Sequence, residues 1–206
     1  MEDCGLPLVL ASASPRRRAL LASLGVEFEV FQSGVKEIDE GDSPSAIVER
    51  NALLKCEDVA KKVNYPAVII SADTLVFLEG EVLSKPRDLD DAKRILNLLS
   101  GNTHQVVTGI AVINTADSKR VLGSEITDVT FRPLSNEEVE IFVNVVCPLD
   151  RAGAYTVDGP GSLLVSRYDG CFYNVLGLPL VKLDKLLRKV GVNLFSRIRK
   201  EHASFL

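Results

Sequence analysis

The segment Leu8-Val9-Leu10-Ala11-Ser12-Ala13-Ser14-Pro15-Arg16-Arg17-Arg18 sets the character of this 206-residue chain. A short apolar run predicts a buried strand. Ser14-Pro15 then reads as the cap and first position of a helix, because Ser accepts from a free backbone N–H and Pro has none to lose. Leu20, Leu21 and Leu24 give that helix an apolar stripe, and Gly25 ends it. A strand leading directly into a helix opens an α/β arrangement. The first turn of the helix carries three cations where its dipole favours negative charge. One reading is a solvated basic face with Ser14 as a plain cap. The other is an anion seat, in which a phosphate meets free N–H groups, the dipole, guanidinium groups and the hydroxyls of Ser12 and Ser14.

Downstream, strand and helix patterns interleave. Glu27 to Phe31 alternates as a strand. Ser43-Pro44 opens a helix whose Val48, Ala52, Cys56, Val59 and Val63 recur at three- and four-residue spacing. Ala67 to Ile70 reads as a strand covered on both faces, ending at Ala72. Leu75–Phe77 and Glu81–Leu83 pair as a hairpin across Glu79-Gly80. Asp88 caps a helix that runs to Leu99. Gln105–Asn114 and Arg120–Phe131 are long strands, and Ser135 with Glu138 forms a capping box for a helix to Val146. Short strands at Ala152–Val157 and Leu163–Tyr168 flank Gly159-Pro160-Gly161, and a last helix follows Pro179. With antiparallel neighbours among these strands, the expected fold class is α/β with a mixed sheet. The length fits one domain, 1–206.

Composition narrows the function. Hydrophobic residues make up 46% and charged residues 25%, ordinary values for a globular protein. The formal net charge of −4 and 6% aromatic content weigh against a nucleic-acid binder, which needs clustered Lys and Arg. No apolar run approaches the ~20 residues of a membrane span, and the acidic start does not read as a targeting segment. Cys4, Cys56, Cys147 and Cys171 form no CxxC pair, so reduced thiols in a cytoplasmic protein are expected. The P-loop, GxSxG and HExxH patterns are absent.

Other residues carry potential chemistry. Asp73, just after a buried strand, is either a turn aspartate or a carboxylate at a ligand crevice that binds Mg²⁺ or activates water. Lys55, at the edge of a helical stripe, either lays its stem on apolar surface or reaches a phosphate. Lys85 in its loop reads the same two ways. Glu37, Asp39 and Glu40 are solvated acids or metal-side ligands. His104 lacks a His or Cys partner for zinc and reads as structural or substrate-gating.

Seven segments, in order along a stretch from about Leu8 to Leu187, resemble the Maf family: LASASPRRRALLASLG, the lysine of RNALLKC, SADTLV, LSKPRDLDDAKRIL, SGNTHQVVTGIAV, VTFRPLSNEEVE and RAGAYTVDGPGSLLVSRYDGCFYNVLGLPL. The resemblance implies an elongated mixed β-sheet flanked by helices with a central cleft, similar to the inosine-triphosphate pyrophosphatases. It implies cleavage of nucleoside triphosphates to monophosphate and pyrophosphate, a house-cleaning activity, with Mg²⁺ or Mn²⁺. By position, Asp73 matches the family's general base, and Ser12, Arg16, Arg17, Lys55 and Lys85 its phosphate-contacting positions. Glu37 matches a metal-side carboxylate acting with Asp73, with Glu40 as the alternative. Arg16, Thr74 and Asp158 fall on specificity positions. SPRR and ADT resemble the branch acting on dTTP and UTP. Asp158 stands where that branch carries Gln, and an acceptor-only carboxylate suits donor-rich base edges better. CTP or a modified guanine nucleotide such as 7-methyl-GTP is therefore the alternative substrate. A homodimer is also implied, and a nucleotide-sensing regulator of cell division is the alternative of another class.

Overall fold

A computed structural model describes residues 3–38 and 40–199. Asp39, one of the acidic candidates, lies outside the described residues. Strands β1 (Leu8–Ala11), β2 (Glu29–Phe31), β3 (Val68–Leu78), β4 (Glu81–Leu83), β5 (Thr103–Asn114), β6 (Lys119–Phe131) and β7 (Val165–Asp169) form one sheet. Its order is β2-β1-β3-β5-β6-β7, with β4 on β3. β1 runs parallel to β2 and β3, whereas β4 and β7 pair antiparallel with β3 and β6. The sheet is therefore mixed and flanked by helices: α1 (Pro15–Ser23), α2 (Pro44–Ala60), α3 (Leu89–Leu99), α4 (Asn136–Val146), α5 (Phe172–Val175) and α6 (Leu180–Lys189).

Contacts divide the chain into two compact units. The first comprises residues 1–73, 108–125 and 177–206, and the second 74–107 and 126–176. In the first, the period-2 alternation of strands sorts side chains onto two faces. Leu8, Leu10, Val68, Ile70, Ile110 and Val112 pack with Leu21 of α1 and Leu183 and Leu187 of α6. Val9, Ala11, Ile69, Ala111 and Ile113 pack with Ala52, Cys56 and Val59 of α2. Each fully buried Leu or Ile contributes about 2 kcal/mol of transfer free energy. The stripe expected on the second helix is thus the side that meets the sheet. Asp3 clasps this unit's late segment: its carboxylate accepts from Arg197 Nε at 2.9 Å and from the Asn193 N–H at 2.8 Å. The guanidinium holds this carboxyl well below the usual range.

The second unit has its own core. Val76, Val106, Val129 and Phe131 pack against Ile95, Leu96 and Leu99 of α3 and Val139, Phe142 and Val143 of α4. The cap at Asp88 forms, with its side chain accepting from Asp91 N at 2.8 Å. The capping box of Ser135 and Glu138 forms too.

Three expectations need correction. β3 does not end at Ala72 but continues through Asp73 and Thr74 to Leu78, because the strand stays buried past its polar pair. Ala152–Val157 is not a strand. Residues 152–154 form a 3₁₀ turn in which Gly153 has φ 71° and Ala154 φ 58°. A Cβ on Gly153 would lie 2.9 Å from Val76 Cγ2, so the turn is packed too closely for a larger residue. Residues 159–163, expected as a turn around Gly-Pro-Gly, form a second short 3₁₀ segment.

His104 is closed inside the second unit, 1% exposed, with Nε2 2.8 Å from the Tyr155 hydroxyl and its ring edge-on to Phe131 and Tyr155. Its Nδ1 has no hydrogen-bond partner among the described residues. Burial lowers its pKa from 6.5 to about 4. The unfolded chain then takes up a proton near pH 6.5 that the folded unit refuses until about pH 4, so stability is full above that window and falls with pH through it. We predict a loss of about 2 kcal/mol between about pH 7 and pH 5 from this group. Urea unfolding of the wild type and His104→Phe at both pH values checks it, since the variant should lack that increment.

Candidate functional site

The first unit gathers most of the candidate residues where β1 gives way to α1. Ser14 caps α1, its Oγ accepting from Arg17 N at 3.4 Å, while its own N–H donates to Ser12 Oγ at 3.2 Å. Pro15 occupies the start of the helix and no acidic residue lies in its first turn. Arg16 and Arg17 are half-buried, whereas Arg18 is exposed. Arg17 Nε donates to the Gly177 carbonyl at 2.8 Å, which fixes the guanidinium. Burial lowers the Arg17 pKa, Asp73 and Glu37 raise it, and Arg16 lowers it again. Arg17 therefore shares one electrostatic neighbourhood with both carboxylates, and a guanidinium remains charged there.

Asp73 sits on β3. Extending the β1–β3 register, in which Leu10 faces Ile70, puts Asp73 just past the end of β1. The residue is 3% exposed, and its two carboxylate oxygens have different partners. Lys55 Nζ lies 2.6 Å from Oδ1, and Asn51 Nδ2 donates to Oδ2 at 2.8 Å. Lys55 also reaches Glu37 Oε1 at 2.5 Å, so one ammonium bridges the two carboxylates. Of the two acidic alternatives, Glu37 is the one joined to Lys55, while Glu40 is exposed in the loop beyond it. Lys55 itself is buried, with its stem enclosed and its charge directed at Asp73 and Glu37. A buried ammonium between two anions is stable only because it is paired on both sides.

Helix α2 brings these groups into place by lying close on the sheet. Ser71 Oγ donates to the Ala52 carbonyl, and Cys56 Sγ donates to the Ile69 carbonyl at 3.2 Å. Burial pushes the Cys56 thiol up to about 12, so this cysteine is a packing residue and not a nucleophile. Gly109 on β5 permits the approach, since a Cβ there would lie 2.4 Å from the Val48 carbonyl carbon.

Asn51 is the functional candidate that motif reasoning passes over. It lies one helical turn before Lys55 in RNALLKC, on the same face, and it is a polar residue between the apolar Val48 and Ala52. That position inside a buried stripe was the available signal.

Thr74, Lys85 and Asp158 belong to the second unit. Thr74 follows Asp73 on β3 and is half-buried. Lys85 is exposed in the loop after β4, next to Ser84, whose carbonyl accepts from the Gly153 N–H at 3.4 Å. Asp158 is exposed at the start of the second 3₁₀ segment, and Thr156 Oγ1 donates to its Oδ1.

In the first unit, Lys55 bridges the two carboxylates, and Arg17, beside Arg16 at the start of α1, lies within their electrostatic reach. Such a site suits a polyanion that arrives with or without a metal. The chain belongs to the Maf family: the model for Maf-like protein matches residues 7–190. It is 42% identical over 183 residues to a dTTP/UTP pyrophosphatase of Alkaliphilus metalliredigens, covering 88% of this chain and 95% of the relative. It is 44% identical over 182 residues to a dTTP/UTP pyrophosphatase of Alkaliphilus oremlandii, covering 88% and 94%. A solved nucleoside-triphosphatase, dITP/XTP pyrophosphatase of Mycobacterium abscessus, aligns with TM-score 0.43 and 17% identity over 61% of this chain and 74% of that one. No helix among the described residues is long and apolar enough to cross a membrane.

Proposed function

We propose that this protein is a nucleoside triphosphate pyrophosphatase that converts dTTP, UTP and related nucleotides to the monophosphate and pyrophosphate. The observation that carries this is the bridge Glu37–Lys55–Asp73 beside the arginine-bearing start of α1. The names of its relatives support the substrate class.

In this mechanism Asp73 is the general base. Both carboxylate oxygens are engaged, yet each keeps a free lone pair that can accept a proton from water. The water oxygen bonds to the α-phosphorus, the α–β bridging bond breaks, and the electron pair leaves with pyrophosphate. Arg16, Arg17, the Ser12 hydroxyl and the start of α1 hold the phosphates, and Lys55 supplies a fixed positive charge. Phosphoryl chemistry of this kind depends mainly on positioning and charge neutralisation. Thr74, Lys85 and Asp158 take their substrate-contacting roles from their places in the family's motifs.

The donor set fits a divalent ion that comes with its nucleotide. Among the described residues no group of three or more His, Cys, Asp or Glu could hold a metal, but Glu37 and Asp73 together already seat a cation. Mg²⁺ and Mn²⁺ commonly take one or two carboxylates plus phosphate oxygens. When bound, the ion neutralises the triphosphate and polarises the phosphorus under attack.

A second substrate class has its own support. The Asp158 carboxylate, already accepting from Thr156, can only accept from a base edge. That favours the amino group of cytosine or guanine over the carbonyl-rich edge of uracil. Pyrophosphate release from a panel of canonical and modified nucleoside triphosphates, with Mg²⁺, Mn²⁺ or a chelator, tests both. Turnover of dTTP and UTP that a chelator abolishes is expected. Turnover of CTP or guanine nucleotides alone assigns Asp158 the choice of base, and binding without turnover replaces the enzyme with a sensor.

A further inference from the structure

We infer that Asn51 is a positioning residue that holds the Glu37 loop and the Asp73 carboxylate in one rigid frame. The inference rests on Asp73 acting as the base. Asn51 is 1% exposed and its amide uses three bonds in two directions. Toward the loop, Oδ1 accepts from the Ile38 N–H at 2.9 Å and Nδ2 donates to the Ile38 carbonyl at 2.7 Å. A side-chain amide thus pairs with a main-chain residue as a neighbouring strand would. Toward the sheet, the second Nδ2 proton goes to Asp73 Oδ2 at 2.8 Å.

The residue tied down is the one after Glu37. Seating Ile38 fixes where the Glu37 carboxylate emerges, and the same amide fixes the rotation of Asp73. Lys55, one turn further along α2, then spans both carboxylates. An exposed loop would otherwise wander, because few buried contacts hold it. Asn suits this role because it offers two donors and an acceptor in one plane. Leu would fill the space but leave the Ile38 pair and Asp73 Oδ2 without these partners.

The consequence is specific to turnover. Misplacement of reacting groups by about 1 Å costs about a hundredfold, and loss of outer partners of a site costs about ten- to a hundredfold. Asn51→Leu should therefore lower kcat for pyrophosphate release from dTTP or UTP by about ten- to a hundredfold, with KM within about threefold. Ile38→Pro removes the N–H that donates to Asn51 Oδ1, at an exposed position, and should lower kcat by about tenfold. In a Glu37→Gln background, Asn51→Leu should cost less than in the wild type, since the loop it seats no longer carries the carboxylate.

Hydrogen exchange of the Ile38 amide gives a readout independent of activity, with faster exchange expected in Asn51→Leu. If Asn51→Leu does not fold, Ile38→Pro carries the test. A folded Asn51→Leu or Ile38→Pro protein with wild-type kcat overturns the inference, as does full additivity with Glu37→Gln. If the wild type releases no pyrophosphate, or Asp73→Asn turns over like the wild type, the assignment of the base fails and Asn51 falls with it. If Asp73→Asn is inactive while Asn51→Leu is unimpaired, the Asn51 assignment alone falls.

Discussion

Asp73→Asn is expected to reduce pyrophosphate release by about a hundred- to ten-thousandfold, equivalent to about 3–5 kcal/mol in the barrier. The size follows from the role. A carboxylate positioned to take a proton from the attacking water contributes on that scale, and an amide cannot take the proton. A smaller structural effect accompanies it. Asp73 accepts on both oxygens, from Lys55 and from Asn51. An amide at 73 must turn its NH₂ toward one of these donors, so one contact becomes donor against donor. That leaves a buried group unpaired at about 1–3 kcal/mol, a fall in Tm of several degrees. Steady-state kinetics on the best nucleotide, with circular dichroism to establish folding, separates the two. A folded variant that keeps turnover within tenfold of the wild type removes Asp73 from the chemistry.

Gly109→Ala should be among the most damaging small substitutions in the first unit. A Cβ there would lie 2.4 Å from the Val48 carbonyl carbon and 2.5 Å from Glu49 N, and both are helix backbone. A flexible side chain could turn aside; a helix main chain must move as a body. Overpacking of this kind costs about 1–3 kcal/mol, and we expect the upper end, a fall in Tm of about 6–12 °C. Because α2 carries Asn51 and Lys55, its displacement also lengthens the 2.8 Å and 2.6 Å contacts to Asp73. Activity should therefore fall at temperatures where the protein is still folded. A thermal melt combined with kinetics at low temperature tests both parts, and an unchanged melting point would show that α2 does not rest on Gly109.

Much of this fold was legible because local signals and tertiary demands agree. Ser14, Ser43, Asp88 and Ser135 cap helices in the structure as their spacing predicts. Disagreement arose where tertiary packing overrode a local pattern. Asp73-Thr74 read as a strand end because polar residues usually leave a buried strand, yet Asp73 is buried with partners for both oxygens and β3 runs on to Leu78. Ala152–Val157, small and apolar up to the β-prone Tyr155-Thr156-Val157, reads as a strand. The left-handed backbone at Gly153 and Ala154 and the approach to Val76 make it a turn instead. Of the candidate site, the charged residues were visible as motifs. Asn51 was not, since its one sign in the sequence, a polar residue inside an apolar stripe, gains meaning only through its partners, Ile38 and Asp73.

The discontinuous make-up of the first unit has a consequence for biosynthesis. Ser12, Arg16, Arg17, Glu37, Asn51, Lys55 and Asp73 all emerge from the ribosome in its opening segment. The Gly177 carbonyl that anchors Arg17, and the α6 leucines that cover one face of β1 and β3, belong to its closing segment. A nascent chain thus carries these residues long before it can hold them in place. Their alignment waits until the segment from residue 177 onward has been made, whereas the second unit has all of its residues by 176.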